Sequence, residues 1–135
     1  MARHLVLSAL LLAGAAPAAA GDLYPHELRA RAPALHRALA ASLPSAREAR
    51  DWLPRLDGTG GPLARVTLDG RDWYAGYVCR PHDCRDNRFV FLVAADGSSA
   101  AGLLRLTREG GAARLAATGR PGAEAAADLR LRLDR

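Results

Sequence analysis

From Arg65 onward the apolar residues of this chain recur at every second position, and glycine-bearing reversals punctuate them at Asp69-Gly70, Asp96-Gly97-Ser98-Ser99 and Glu109-Gly110-Gly111. A period of two sends successive side chains to opposite faces of an extended strand, and glycine supplies the positive φ that a tight hairpin needs. This half of the chain is thereby restricted to strands over 65–69, 71–79, 88–95, 100–107 and 112–118, joined by short connections as an antiparallel meander. Ahead of it the period is helical, with Leu28, Ala32, Leu35, Leu39 and Leu43 on one stripe, Pro33 opening or kinking the helix and Pro44 ending it. A further helical turn or two covers 46–56, and Gly58-Thr59-Gly60-Gly61-Pro62 reads as a loop. The stretch Gly122 to Leu133 is rich in alanine, with Leu129, Leu131 and Leu133 alternating, and reads as a helix or a last strand, with helix favoured at its start. The fold class is α+β: an antiparallel sheet of about five strands packed with helices.

The first residues address the chain to a compartment. Met1 to His4 is short and basic, Leu5 to Ala16 is apolar yet too short to span a bilayer, and Ala18-Ala19-Ala20 follows the breaker Pro17 as a small-residue cleavage site. A buried N-terminal helix is the competing reading, but no polar face interrupts the run. Residues 1–20 are therefore read as a signal peptide, and 21–135 as one exported, soluble, periplasmic domain of about 115 residues, enough for a single core. No cysteine follows the signal to take a lipid, so no membrane attachment is expected after cleavage.

All 19 cations are arginine, and the formal charge of +5 falls to +4 when Arg3 leaves with the signal. Arginine and acid alternate without a dense basic run. That describes a mixed solvated surface and argues against a nucleic-acid groove. The absence of lysine, with the heavy use of alanine, reads as a compositional bias of the encoding genome.

Both cysteines fall within Cys79-Arg80-Pro81-His82-Asp83-Cys84, at the junction of two strands. In an oxidising compartment, cysteines with four residues between them read as a structural bridge. Closing so short a ring contributes only about 2 kcal/mol on the chain-entropy model, so local shape is the better reason for it. Pro81 fixes its own φ and presses Arg80 toward extended geometry. His82 then stands at the apex of a constrained ring, which favours a functional reading over that of an ordinary solvated histidine. The cluster Cys-x-x-His-x-Cys has the residue types of a zinc site, but four donors within one six-residue turn fit poorly around a tetrahedral ion. A redox dithiol favours a two-residue spacer at a helix N-terminus. No metal or cofactor is expected. Beside the ring, Trp73 and Tyr77 share one face of their strand and Tyr74 takes the other, which leaves sheet core and interface anchor both open. His26 and His36 lack any neighbouring constellation and read as surface residues.

The string Cys-Arg-Pro-His-Asp-Cys resembles the Cys-Lys-Pro-His-Asp-Cys loop of the inhibitor of vertebrate lysozyme (Ivy) family, periplasmic proteins that block C-type lysozymes. The resemblance extends to Val66-Thr67-Leu68 and Trp73-Tyr74-Ala75-Gly76-Tyr77-Val78 ahead of the loop, and to Asn87-Arg88-Phe89-Val90-Phe91-Leu92-Val93 after it. With the helix, Trp52 and the glycine-rich linker in the family's order, it covers residues 34 to 107 and fades beyond. Arg80 departs from the usual lysine, keeping the charge and changing the donor geometry. The resemblance implies a protruding disulfide-closed loop and a proteinaceous inhibitor. It makes His82 a plug lodged between the two carboxylates of the lysozyme cleft. For Asp83 it implies contact with the target or orientation of the imidazole, level with a plain turn role. Arg80 goes to the rim, where a guanidinium bonds backbone carbonyls, and Pro81 completes the target-binding set. The partner implied is a C-type lysozyme of a host animal. Action on endogenous murein lytic transglycosylases and the oligomeric state are left open. Such lysozymes are usually basic, so long-range steering of this chain is expected to be weak or opposed.

Two other classes of function compete. Ser98 and Ser99 on a turn, with His82 and Asp83, supply the residue types of a Ser-His-Asp site, yet adjacent loop residues cannot easily point at each other and no nucleophile elbow is present. The chain is therefore not expected to be an enzyme. A periplasmic binding or chaperone-like module would instead use an apolar groove between helix and sheet.

Overall fold

The computed structural model describes residues 23–108 and 110–135; the segment read as a signal peptide lies outside them. Six strands form one antiparallel sheet: β1 (Thr59–Gly60), β2 (Ala64–Leu68), β3 (Arg71–Cys79), β4 (Asn87–Ala94), β5 (Ala100–Thr107) and β6 (Ala113–Thr118). Strands β2 to β6 follow the meander that the period of two dictates, with bounds within about a residue of those expected. The glycine-rich linker is the exception. Its residues Thr59 and Gly60 pair with Cys79 and Val78, so β1 lies along the same edge of β3 as β2 does. The pairing is Gly60 to Val78 and then Ala64 to Ala75, so three residues face two and the edge carries one extra residue, as in a bulge. Pro62 sits in this interruption, where no ladder N–H is required of it. Apart from Thr59, the linker's glycines and proline disfavour a strand. The tertiary edge of β3 recruits the segment.

The helical segment is also more broken than its spacing predicts. Ala32, at φ −143° and ψ 65°, divides it into α1 (Leu28–Arg31) and α2 (Pro33–Ala41), because a proline bars the preceding residue from helical geometry. Residues 47–56 form a 3-10 turn, Arg47–Ala49, followed by further turns. The alanine-rich end is a helix, α3 (Ala123–Leu133).

Helices cover both faces of the sheet. Leu28, Leu35 and Leu39 of α1 and α2, with Trp52, Leu53 and Leu56, pack against Tyr74, Val78, Phe89, Phe91, Val93 and Leu104. On the opposite face Ala125, Leu129 and Leu133 of α3 meet Trp73, Ala75, Val90, Leu92 and Ala101. Central strand β4 is therefore buried on both sides, and Phe89 through Ala94 are all inaccessible. This is why its sequence, Phe-Val-Phe-Leu-Val-Ala, loses the alternation seen in its neighbours. Truncating Phe89 or Phe91 to alanine costs about 3–5 kcal/mol by loss of transfer energy and cavity formation.

The turn between β2 and β3 does two jobs. Asp69 and Gly70 both have positive φ, 52° and 69°, the pattern of a two-residue hairpin in which the backbone twist matches that of the strands. The Asp69 carboxylate then accepts the backbone N–H groups of Glu124 and Ala125 at 3.1 and 3.0 Å, while the Glu124 carboxylate accepts from the Asp69 N–H at 2.6 Å. A residue 55 positions away thus caps α3 and fixes it on the sheet. A Cβ on Gly122 would lie 2.5 Å from that carboxylate, so the cap requires glycine there.

Candidate functional site

The β3–β4 hairpin ends in the cysteine ring. Pairing runs to Cys79 and Arg88, and the Arg80 N–H donates to the Asn87 carbonyl at 3.0 Å, which leaves residues 81–86 as the loop. Cys79 and Cys84 are joined by a disulfide with their Cα atoms 4.9 Å apart. Both sulfurs are consumed by that bond, and among the described residues no group of three or more His, Cys, Asp or Glu is placed to hold a metal ion. Cys79 is fully buried, with its Sγ 3.2 Å from the Thr59 carbonyl oxygen, so β1 clamps the base of the ring. Gly58 permits this approach, because a Cβ there would meet the Cys79 carbonyl oxygen at 2.2 Å.

Inside the ring the backbone turns on itself. The Asp83 N–H donates to the Arg80 carbonyl at 3.0 Å, with Pro81 second in the turn and His82 third at φ 65°. Proline followed by a left-handed residue is the pattern of a type II turn, whose third place normally takes glycine or asparagine. Histidine tolerates the left-handed region better than most side chains but still strains the backbone there, by about 1 kcal/mol or more. The surroundings compel it. The disulfide fixes both ends, and the Asn87 N–H donates to the Asp83 carbonyl at 3.0 Å. In addition, the Asn87 side-chain amide donates to the Asp83 carboxylate at 2.5 Å.

These bonds settle several side-chain orientations. Pro81 and His82 are exposed at the tip, and the exposed Arg80 side chain has no ion pair or hydrogen bond among the described residues. Asp83 is half-buried and turned back onto Asn87, so its carboxylate orders the ring rather than projecting from it. Among the described residues Asn87 is the one buried polar residue in the core, at 6% exposure. It is the residue that reading by motif passes over: it follows the second cysteine by three positions and opens a strand, where a polar side chain facing inward needs a partner. Trp73 and Tyr74 are buried at 5% and 7% exposure, which assigns both to the sheet core. Tyr77 is half-buried beneath the Arg88 guanidinium, 4.5 Å from its ring centre.

Around the ring stands a charged collar. The 47–57 segment lies on one side, and a cleft of about 610 Å³ between it and the ring is lined by Trp52, Glu48, Asp51, Asp57, Arg80 and Pro81. Glu48 accepts from Arg108 at 2.9 Å and Arg114 at 3.4 Å, which ties this segment to the β5–β6 hairpin. The Arg108 bond holds the Glu48 carboxyl below its ordinary pKa, with Arg114 acting in the same direction. Ser98 and Ser99 lie in the β4–β5 turn, at the far end of β4 from His82, so the chain does not assemble them with His82 and Asp83. Between helices and sheet the space is filled by core side chains.

The model of the family described as inhibitor of vertebrate lysozyme (Ivy) matches residues 34–134. The chain belongs to the Ivy family. The match passes residue 107, where the resemblance by motif fades, and takes in β6 and α3. An inhibitor of vertebrate lysozyme from Pseudomonas aeruginosa is 33% identical to this Ivy-family chain over 52 residues, or 38% of this chain and 34% of that protein. The chain thus spans about a third of the length of the curated relative it matches.

Proposed function

We propose that this Ivy-family chain is an inhibitor of C-type lysozyme, exported to the periplasm, that inserts the Cys79–Cys84 loop into the enzyme's active-site cleft. The observation that carries the reading is His82: an exposed imidazole held in a left-handed conformation at the tip of a ring that a disulfide, Asn87 and three backbone hydrogen bonds make rigid. Strain at an exposed position is retained where a side chain must be presented in one direction.

The chemistry of the target cleft suits that tip. A C-type lysozyme works with two carboxylates, one kept protonated by an apolar setting and the other ionised. An imidazole between them donates to the ionised carboxylate and accepts from the protonated one, occupying the place of the substrate. Arg80, whose guanidinium has no partner among the described residues, adds donors at the rim. Pro81 contributes an apolar surface with no N–H to desolvate. Asp83 acts from within, as a positioning residue that holds the turn through Asn87. Because the ring is ordered before contact, little conformational entropy is lost on binding, and the affinity concentrates on His82.

An apolar helix–sheet groove, the binding-module alternative, is disfavoured by the filled interface between the two layers. The test is inhibition of lysozyme by the purified mature chain, measured as bacterial cell-wall lysis, with the chain oxidised and reduced. Stoichiometric inhibition that weakens on reduction supports the reading. A chain that leaves lysozyme fully active in molar excess refutes it.

A further inference from the structure

On the α3 face, next to Cys84, four guanidiniums converge where a sheet would ordinarily avoid them. Arg88 of β4 and Arg105 of β5 are register partners, directly opposite each other on neighbouring strands, a placement that like charges disfavour. Their Nε atoms are buried and have no hydrogen-bond partner. Arg85 and Arg135 border the same groove, which has a volume of about 620 Å³.

Part of this charge serves the fold. Arg88 donates to the Arg135 carbonyl at 2.7 Å, and Arg105 lies 3.6 Å from the Asp134 carboxylate, so the pair receives the C-terminal end of α3, where a helix dipole favours cations. That role leaves a surplus. The lining holds four arginines against two acidic side chains, Asp86 and Asp134, and the second of these is largely exposed at 77%. Arg85 has no partner among the described residues. Burial pulls the Arg88 pKa below its ordinary value, with Arg105 acting in the same direction, as expected of a cation short of counter-charge.

We infer that this groove is an oxyanion site that takes a phosphate group, bound chiefly by Arg85 and Arg105 with Arg88 and Arg135 at its walls. The excess of guanidiniums over carboxylates gives the groove a net positive charge, which favours an anion. Planar forks arriving from separate strands and a loop suit a tetrahedral ion with oxygens on every side better than a flat carboxylate. A free phosphate ion and a phosphate-bearing lipid headgroup present the same oxygens, and the test separates the two sources. The site is separate from the tip of the ring, so it stands or falls independently of lysozyme inhibition.

The test is a thermal-shift titration of the mature chain with inorganic phosphate at constant ionic strength, using sodium chloride as the balancing salt. In parallel, the chain is sedimented with phosphatidylcholine vesicles with and without phosphatidic acid. Saturable stabilisation by phosphate, weakened about tenfold or more in affinity by Arg85→Gln with Arg105→Gln, assigns a free ion. Capture only by phosphatidic-acid vesicles, lost in the same variant, assigns a lipid headgroup. Arg85→Gln alone guards against misfolding, since that side chain is exposed and supports nothing in the fold. If phosphate acts no differently from chloride and the vesicles do not capture the chain, or if both variants respond as wild type does, the inference is overturned.

Discussion

Replacing His82 separates two contributions that one residue makes, through its ring and through its backbone. His82→Ala removes the imidazole and keeps a side chain that is at least as strained at φ 65°. Because the tip is exposed, the variant should melt with wild type, while inhibition of lysozyme weakens by about 2 kcal/mol or more, roughly 30-fold in Kd, the range of a central hot spot. His82→Gly removes the same ring and also relieves the backbone. The left-handed penalty of a non-glycine residue is about 1–2 kcal/mol. Against it stands the extra freedom of glycine in the unfolded chain, about 0.4–1 kcal/mol. The net gain is about 0.5–1 kcal/mol, or about 2–4 °C in Tm for a chain of this size. Calorimetry and titration of cell-wall lysis on the two variants provide the readouts. The expected result is that both inhibit equally poorly and only the glycine variant melts higher. Full inhibition by either variant would refute the plug, and the chain would then have to bind through another part of the collar. A glycine variant that melts below wild type would refute the turn geometry.

Asn87→Ala leaves the Asp83 carboxylate without its donor and should weaken inhibition several-fold at intact disulfide; Asp83→Ala should cost less than His82→Ala, and the double variant no more than the larger single one, as for two residues acting as a unit. Asp69→Ala removes the cap of α3 and should lower stability in urea by about 1–2 kcal/mol without changing inhibition, since Asp69 lies at the far end of β3 from the ring. Opening the ring by Cys79→Ser with Cys84→Ser should weaken inhibition only in part, because Pro81 and the flanking strands persist; intact mass should show the exported native form beginning at Gly21 and two hydrogens lighter than its reduced form.

The alternation after Arg65 and its punctuation by glycine carry most of the sheet, because in a hairpin meander register follows from turns of fixed length. What escaped that reading is tertiary. Thr59 and Gly60 have no strand signal of their own and pair because β3 offers an open edge. The break at Ala32 was half visible in Pro33, which could open or kink a helix; only packing decided that Leu28 stays on the same core as Leu35 and Leu39. At the site, the ring and the position of His82 at its apex were legible from six letters. The inward turn of Asp83 was not, since it depends on Asn87, whose burial follows from the two helical layers that close over β4. The arginine pair 88 and 105 was invisible for a similar reason: the residues are 17 positions apart and meet only through the β4–β5 register.

Charge offers a last test of how the proposed complex forms. The tip presents Arg80 and an imidazole to a cleft that holds two carboxylates, so contacts at close range are complementary. At longer range residues 21–135, the proposed exported form, are formally +4, and C-type lysozymes are usually basic, so the approach is expected to be opposed. These two terms respond differently to salt. Repulsion between exposed charges is largely screened beyond about 8 Å at physiological ionic strength, whereas pairs desolvated inside the cleft are screened much less. Added salt should therefore leave the association rate flat or raise it modestly, and tight binding should reside in slow dissociation. Stopped-flow association at several chloride concentrations measures this directly. A rate that falls steeply with salt would mean that favourable steering dominates, and would overturn the expectation that the net charges oppose approach.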